Sequence, residues 1–258
     1  MFGLTRRHRE KLQRQPFPDT WRQYLKRRVP LYHRLPVEDR RELEGHIQIF
    51  LDEKRFEGCG GFSINDEVRV VIAAQACLLL LHRETDYFPG LSSVVVYPTS
   101  FIVELRNYDE FGVVTDETGP LVGESWDTGC VVLAWDEVLE SSACDHDGYN
   151  VVIHEFAHQL DAEDGITDGA PVLPDRSRYR SWARVFGDEY RRLREMLTSG
   201  GETLLDEYGA SDPAEFFAVV TESFFEIPQH LQEEHPELYD ELRQYFRQDP
   251  AGWMKCEG

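Results

Sequence analysis

Val151-Val152-Ile153-His154-Glu155-Phe156-Ala157-His158-Gln159-Leu160-Asp161 is the stretch from which fold and chemistry are both read. At 100° per residue a helix sets His154 and His158 about 40° apart on one face, so both imidazoles can reach a single ion. Val151, Val152, Phe156, Ala157 and Leu160 surround that face with apolar side chains, which predicts a helix held in the core. Glu155 lies roughly 100° round from His154, placed to touch a metal-bound water as general base and not the metal itself. Asp161, seven residues after His154, returns to the histidine face as a candidate carboxylate behind an imidazole. The structural alternative is a solvated helix carrying ordinary i,i+4 pairs. Apolar flanks argue against it, and histidines and a glutamate buried with no ion would need other partners.

The rest of the chain is consistent with such a core. Of 258 residues, 41% are apolar, ample for one large domain. No apolar h-region follows the Arg- and Gln-rich start from Met1 to Phe17, so no secretory signal is read there. The longest apolar run, Val70 to Leu81, is interrupted by Gln75 and is too short to span a bilayer. Five cysteines form an odd set with no C-x-x-C spacing, which fits neither a disulfide framework nor a cysteine zinc site and points to a reducing cytoplasm. The net charge of −21 weighs against direct nucleic-acid binding. Residues 1–57 hold 14 Lys/Arg against 9 Asp/Glu, a balance of +5, so the remainder carries −26. That basic amino-terminal segment is expected to fold back on its own domain.

Taken in order, residues 1–16 read as polar and poorly ordered, and Phe17 to Pro36 as short helices and turns broken by prolines. Helical spacing of Leu43, Ile47, Phe50 and Leu51 predicts a helix over 37–56. Asn65-Asp66 caps a second helix, apolar nearly all round, over 68–82. Ser93 to Tyr97 and Phe101 to Leu105 read as strands, residues 107–128 as loop with room for a hairpin, and Cys130 to Trp135 as a further strand. A strand there, at a sheet edge beside the metal helix, could align an extended peptide by strand addition, or be an ordinary strand with no ligand. Residues 136–142 read as a short helix or turn, and 177–199 and 236–246 as helices.

The second informative stretch is Tyr208-Gly209-Ala210-Ser211-Asp212-Pro213-Ala214-Glu215-Phe216-Phe217-Ala218-Val219-Val220-Thr221-Glu222. Asp212-Pro213 is a strong helix start. Glu215 then stands where a capping box places an acid, or where a third metal ligand could come from, and Glu222, two turns on along the same face, is its rival for that role.

His154-Glu155-Phe156-Ala157-His158-Gln159-Leu160-Asp161, together with Tyr208 and Ala214-Glu215-Phe216-Phe217-Ala218, resembles the Mlc titration factor A family of zinc peptidases and, more distantly, the catalytic domain of anthrax lethal factor. Glu-Ser-Trp-Asp-Thr-Gly at 124–129 also looks familial. The resemblance implies His154, His158 and Glu215 as zinc ligands, Glu155 as catalytic base and Tyr208 as a phenol near the scissile carbonyl, and so favours Glu215 over Glu222. It further implies aminopeptidase activity on small peptide-like substrates and binding of the Mlc glucose repressor, a transcription factor. The expectation is therefore an α+β, zincin-like, mostly helical fold with a small mixed or antiparallel sheet next to the His-Glu-x-x-His helix. Residues 1–258 form one domain on which the basic segment packs. The expected function is that of a cytoplasmic Zn²⁺ metallopeptidase, with a non-catalytic regulatory protein that sequesters a transcription factor as the competing reading.

Overall fold

The computed structural model describes residues 2–99, 102–108, 114–120, 129–143 and 148–253. Four helices come first: α1 (Phe2–Gln13), α2 (Asp19–Arg28), α3 (Pro30–Arg34) and α4 (Val37–Glu53). Then β1 (Arg55–Gly58), α5 (Asp66–Leu78), β2 (Ser93–Tyr97), β3 (Ile102–Tyr108), β4 (Val114–Pro120) and β5 (Cys130–Ala134) alternate. Helices then follow: α6 (Trp135–Ala143), α7 (Val151–Asp161), α8 (Arg178–Thr198), α9 (Pro213–Glu226), α10 (Pro228–Glu234), α11 (Pro236–Phe246) and α12 (Pro250–Trp253).

Asn65 fixes where α5 begins, its side chain accepting the Val68 N–H at 3.0 Å, which satisfies one of the open donors of the first turn. From Val70 to Leu78 every residue of this helix is buried. It carries the chain from β1 across to β2, and a crossover of that kind is what parallel pairing requires. The three-stranded sheet has the order β1-β2-β5. Both of its pairings are parallel, with Val94 opposite Phe56 on one side and Val131 on the other. The expected mixed or antiparallel sheet beside the metal helix is thus corrected. Among the described residues, only β3 and β4 pair antiparallel, as a separate two-stranded sheet joining Ile102 to Pro120 and Tyr108 to Val114. The strand over 93–97 pairs with segments distant in sequence instead of with the next strand along the chain. No helix among the described residues is long and apolar enough to cross a membrane.

The amino-terminal residues, expected to be poorly ordered, form α1 instead. Arg9 explains the difference. Its guanidinium forks onto Glu53 at 2.6 and 2.9 Å, reaches Asp86 at 3.0 Å and lies over the Tyr87 ring at 4.7 Å. Bidentate pairing of this kind fixes geometry as well as charge, and it fastens α1 to α4. In the same way Arg22 of α2 forks onto Glu44 of α4 at 2.7 and 2.9 Å.

Behind the site, α7 packs against α9, α5 and β5. Phe156 on its inner face meets the rings of Phe88 and Phe50 at 4.9 and 5.7 Å. From α9, Phe217 packs on Trp182 at 5.8 Å, itself stacked on Phe186 at 3.9 Å, and Phe224 meets Tyr239 of α11 at 5.1 Å. Both site helices are therefore backed by close-packed aromatic side chains, which restrict rotamer and backbone movement.

Candidate metal centre

Asn150 begins α7. Its side-chain oxygen accepts the Ile153 N–H at 3.0 Å, so the two histidines ride on a helix whose start is fixed by a hydrogen bond. The opposing helix, α9, is started by Asp212, whose carboxylate accepts from the N–H groups of Ala214 and Glu215 at 2.8 and 3.0 Å. Pro213 occupies the first turn, where its missing N–H costs nothing.

The crossing of these helices brings three donor atoms together. Glu215 Oε2 lies 3.0 Å from His154 Nε2 and 3.3 Å from His158 Nε2, and the two nitrogens are 3.2 Å apart. A tetrahedral ion with bonds of about 2.0–2.1 Å sets its ligand atoms about 3.3 Å from one another. The triangle has that size. Its chemistry also fits: two imidazole nitrogens and a carboxylate oxygen face one point, an arrangement that needs a cation or protons between them.

A second group of possible ligands, Asp39, Glu42 and His82, lies nearer the surface. There the two ring nitrogens of His82 face different carboxylates, Asp39 at 3.3 Å and Glu42 at 3.2 Å. The two nitrogens of one ring point away from each other, so this group does not converge as the first does.

Electrostatics at the centre follow from its burial. Burial works against charge on Glu215, but hydrogen bonds from His154 and His158 hold its carboxyl down at about 2, keeping it an anionic donor. Glu155, buried beside the same helix crossing, is raised to about 7, first by desolvation and then by the neighbouring Glu215 and Glu222, with His154 opposing. A carboxyl in that range can both take and return a proton near neutrality. Tyr208 sits on a short turn, Glu207–Ala210, capped by Asp206 at 2.8 Å. Its ring centroid is 6.0 Å from that of His154, and burial together with the Glu215 and Glu155 charges pushes its phenol up to about 12. It therefore stays a hydrogen-bond donor.

Of the residues singled out from sequence, His154, His158 and Glu215 are brought together, Tyr208 places its ring 6.0 Å from that of His154, and Glu155 is buried on the same helix as the two histidines. The geometry also places two further candidates. Glu222 lies on the far side of the His154 ring from the triangle, with Oε1 2.7 Å from Nδ1. Asp161 Oδ2 accepts the Gly169 N–H at 2.9 Å. Gly169 has φ +78°, and a Cβ there would stand 2.2 Å from the Pro213 carbonyl oxygen, so this loop is seated against the start of α9. Between them a cleft of about 460 Å³, lined by His158, Thr167, Asp168 and residues 212–215, opens beside the triangle. Asn150 was not singled out as a site residue, although an Asn before an apolar helix is a recognisable cap signal. Of the stretch 124–129, residues 124–128 lie outside the described residues.

A His-Glu-x-x-His helix joined by a carboxylate from a later helix, over a buried glutamate and beside an open cleft, is the arrangement of a metallopeptidase-like protein. The model of the glucose-regulated metallo-peptidase M90 family matches residues 4–247, and the chain belongs to that family. Among its relatives is an uncharacterized protein of Synechocystis sp., 44% identical over 94% of this chain and 89% of the relative. Proteins named Mlc titration factor A are also similar. That of Pectobacterium atrosepticum is 36% identical over 88% of this chain and 86% of the relative, and that of Escherichia fergusonii is 32% identical over 86% and 84%.

Proposed function

We propose that this chain is a zinc metallopeptidase of zincin type, aminopeptidase-like, that hydrolyses peptide bonds in a single cytoplasmic domain. The observation that carries the reading is the triangle of His154 Nε2, His158 Nε2 and Glu215 Oε2, with edges of 3.0, 3.2 and 3.3 Å. These three residues would hold Zn²⁺. Bound there, the ion would supply Lewis acidity and a position for water.

The protein's own groups then divide the work. Glu155 accepts a proton from the attacking water and returns it to the leaving amine, a use suited to its raised pKa of about 7. Tyr208 donates its hydroxyl hydrogen to the carbonyl oxygen as negative charge develops there, a contact worth a few kcal/mol in a transition state. β5 is at one end of the strand order β1-β2-β5 and packs near α7. As the last strand of that order it suits an extended peptide added as a further strand.

The name carried by several relatives, Mlc titration factor A, favours a second role. We extend to this chain the binding of an Mlc-like transcriptional repressor, with hydrolysis and repressor binding as separable activities.

Glu155→Gln tests the reading. The amide keeps the shape and cannot act as base, so zinc content and thermal stability should match the wild type while peptide hydrolysis falls by about 10²–10⁴-fold. Undiminished hydrolysis in the variant rejects the base assignment. A wild-type chain that binds no zinc rejects the metallopeptidase reading altogether.

A further inference from the structure

The centre has a layer behind it in which one buried carboxylate is clamped from both sides. Glu222 Oε1 meets His154 Nδ1 at 2.7 Å, and its other oxygen, Oε2, accepts the backbone N–H of Asn150 at 2.6 Å. Asn150 is itself immobilised. Its side-chain oxygen caps α7, and its amide nitrogen donates to Gln75 Oε1 and Glu226 Oε1, both at 2.8 Å. Glu222 and Asn150 are almost wholly buried, at 2% and 1% exposure. Water is thus largely kept from replacing either bond.

We propose that Glu222 is a positioning residue that acts through His154. Resting on the zinc reading above, the inference is that the Asn150–Glu222 clamp keeps the hydrogen of His154 on Nδ1, leaving the Nε2 lone pair directed at the point shared with His158 and Glu215. The ring can present Nε2 to an ion only in that tautomer. The clamp also couples the helices: the amide that starts α7 and the carboxylate two turns into α9 fix one another, so the spacing of the two His nitrogens from Glu215 is set by the same pair of bonds. Partners of this kind raise the basicity of the ligand ring, and their loss typically costs 10–100-fold in metal affinity.

Glutamine makes a sharp probe of this clamp. Its single carbonyl oxygen can accept from His154 Nδ1–H or from the Asn150 N–H, whereas the amide nitrogen faces a donor on whichever side it takes. Glu226 supplies the control, because it lies one turn further along α9 and bonds the Asn150 amide, while the Glu222 carboxylate is the one at the His154 ring.

The experiment is chelator competition for Zn²⁺ on the full chain, with wild type, Glu222→Gln, Glu222→Ala and Glu226→Gln, alongside thermal unfolding of each zinc-free protein. Glu222→Gln and Glu222→Ala are expected to weaken zinc binding by about 10–100-fold. Glu226→Gln should shift unfolding while leaving zinc affinity within about twofold of the wild type. If the zinc-free Glu222→Gln protein unfolds, zinc titration of Glu222→Asp, which keeps the charge and shortens the reach, must show a loss of the same order. Wild-type zinc affinity in a folded Glu222→Gln or Glu222→Asp overturns the positioning role and leaves the zinc reading standing. Equal losses in the Glu222 and Glu226 variants overturn it too, by making the effect one of general packing. No zinc on the wild type overturns the reading beneath both.

Discussion

Lys54 shows how a charge outside the site is held in a fold built for other purposes. Its ammonium group is buried at the end of α4 and donates to the carbonyl oxygens of Phe88 and Leu91 at 2.8 and 2.7 Å. It thereby ties the helix end to the turn whose Phe88 packs on Phe156. Burial lowers its pKa to about 8 from an ordinary 10.5. The folded state therefore releases this proton at lower pH than the unfolded chain does. Between about pH 8 and 10.5 the unfolded chain holds more protons, so this residue's contribution to stability rises with pH across that window, is complete above it, and is lost as pH falls through 8. The whole change amounts to about 1.4 kcal/mol for each unit by which the two values differ. Lys54→Met should remove it. Denaturant midpoints of wild type and variant at pH 7 and pH 9.5 measure the effect, and a wild-type gain no larger than the variant's would show that the ammonium is solvated. At this scale the sequence was most legible where chemistry constrains residue type. Two histidines four apart among valines and phenylalanine have few uses besides ligation. It was least legible for Glu222, because Glu215 and Glu222 share a face of α9 and only the angle at which α9 crosses α7 decides which carboxylate meets Nε2 and which meets Nδ1.

Among elements, most helices were readable from caps and periodicity and the strands over 93–97 and 130–134 from their β-branched runs, but β1 and the parallel pairing of the sheet were not. Asn65 and Asp212 each accept backbone N–H groups at the helix starts their sequences predict. β1, by contrast, is four residues long with only Phe56 partly shielded. It carries no alternation to distinguish it from the end of the preceding helix. Its pairing with β2 depends on the α5 crossover, a contact between distant parts of the chain that local pattern does not encode. The cap at Asp212 matters beyond stability because Glu215, which it holds through the backbone N–H at 3.0 Å, is the proposed third ligand. Asp212→Ala should destabilise the protein by about 1 kcal/mol, within the 0.5–2 kcal/mol range of such caps, and lower zinc affinity as the first turn of α9 frays. Asp212→Asn keeps a side-chain oxygen and should recover most of both. If the alanine variant retains full zinc affinity, the Phe216 and Phe217 packing alone positions Glu215.

The whole molecule carries 48 acidic groups against 27 Lys and Arg, and its basic residues are concentrated where they tie the amino-terminal helices down. Arg9 bridges to Glu53 and Asp86, Arg22 to Glu44, and Arg27 and Arg28 both to Glu67. These pairs are attractive, but the excess of negative charge, −21 overall, repels itself in every compact state. Salt separates the two contributions. At about 0.01 M the screening length is about 30 Å, so repulsion acts across a whole domain, whereas at 0.15 M it is about 8 Å and only near neighbours interact. The partly buried forks of Arg9 and Arg22 are shielded from the added ions, and exposed pairs are worth little to begin with. Raising sodium chloride from about 0.01 to 0.15 M should therefore stabilise the zinc-loaded protein by on the order of 1 kcal/mol, or about 2–4 °C in Tm for a chain of this size. Holding zinc saturation fixed matters, since a change in bound metal would shift Tm by mass action. A fall in Tm over the same range would mean that the ion pairs fastening the amino-terminal helices contribute more than the excess charge costs. In that case the forks are screened by salt after all, and Arg9→Met, which deletes one of them, should lessen the fall.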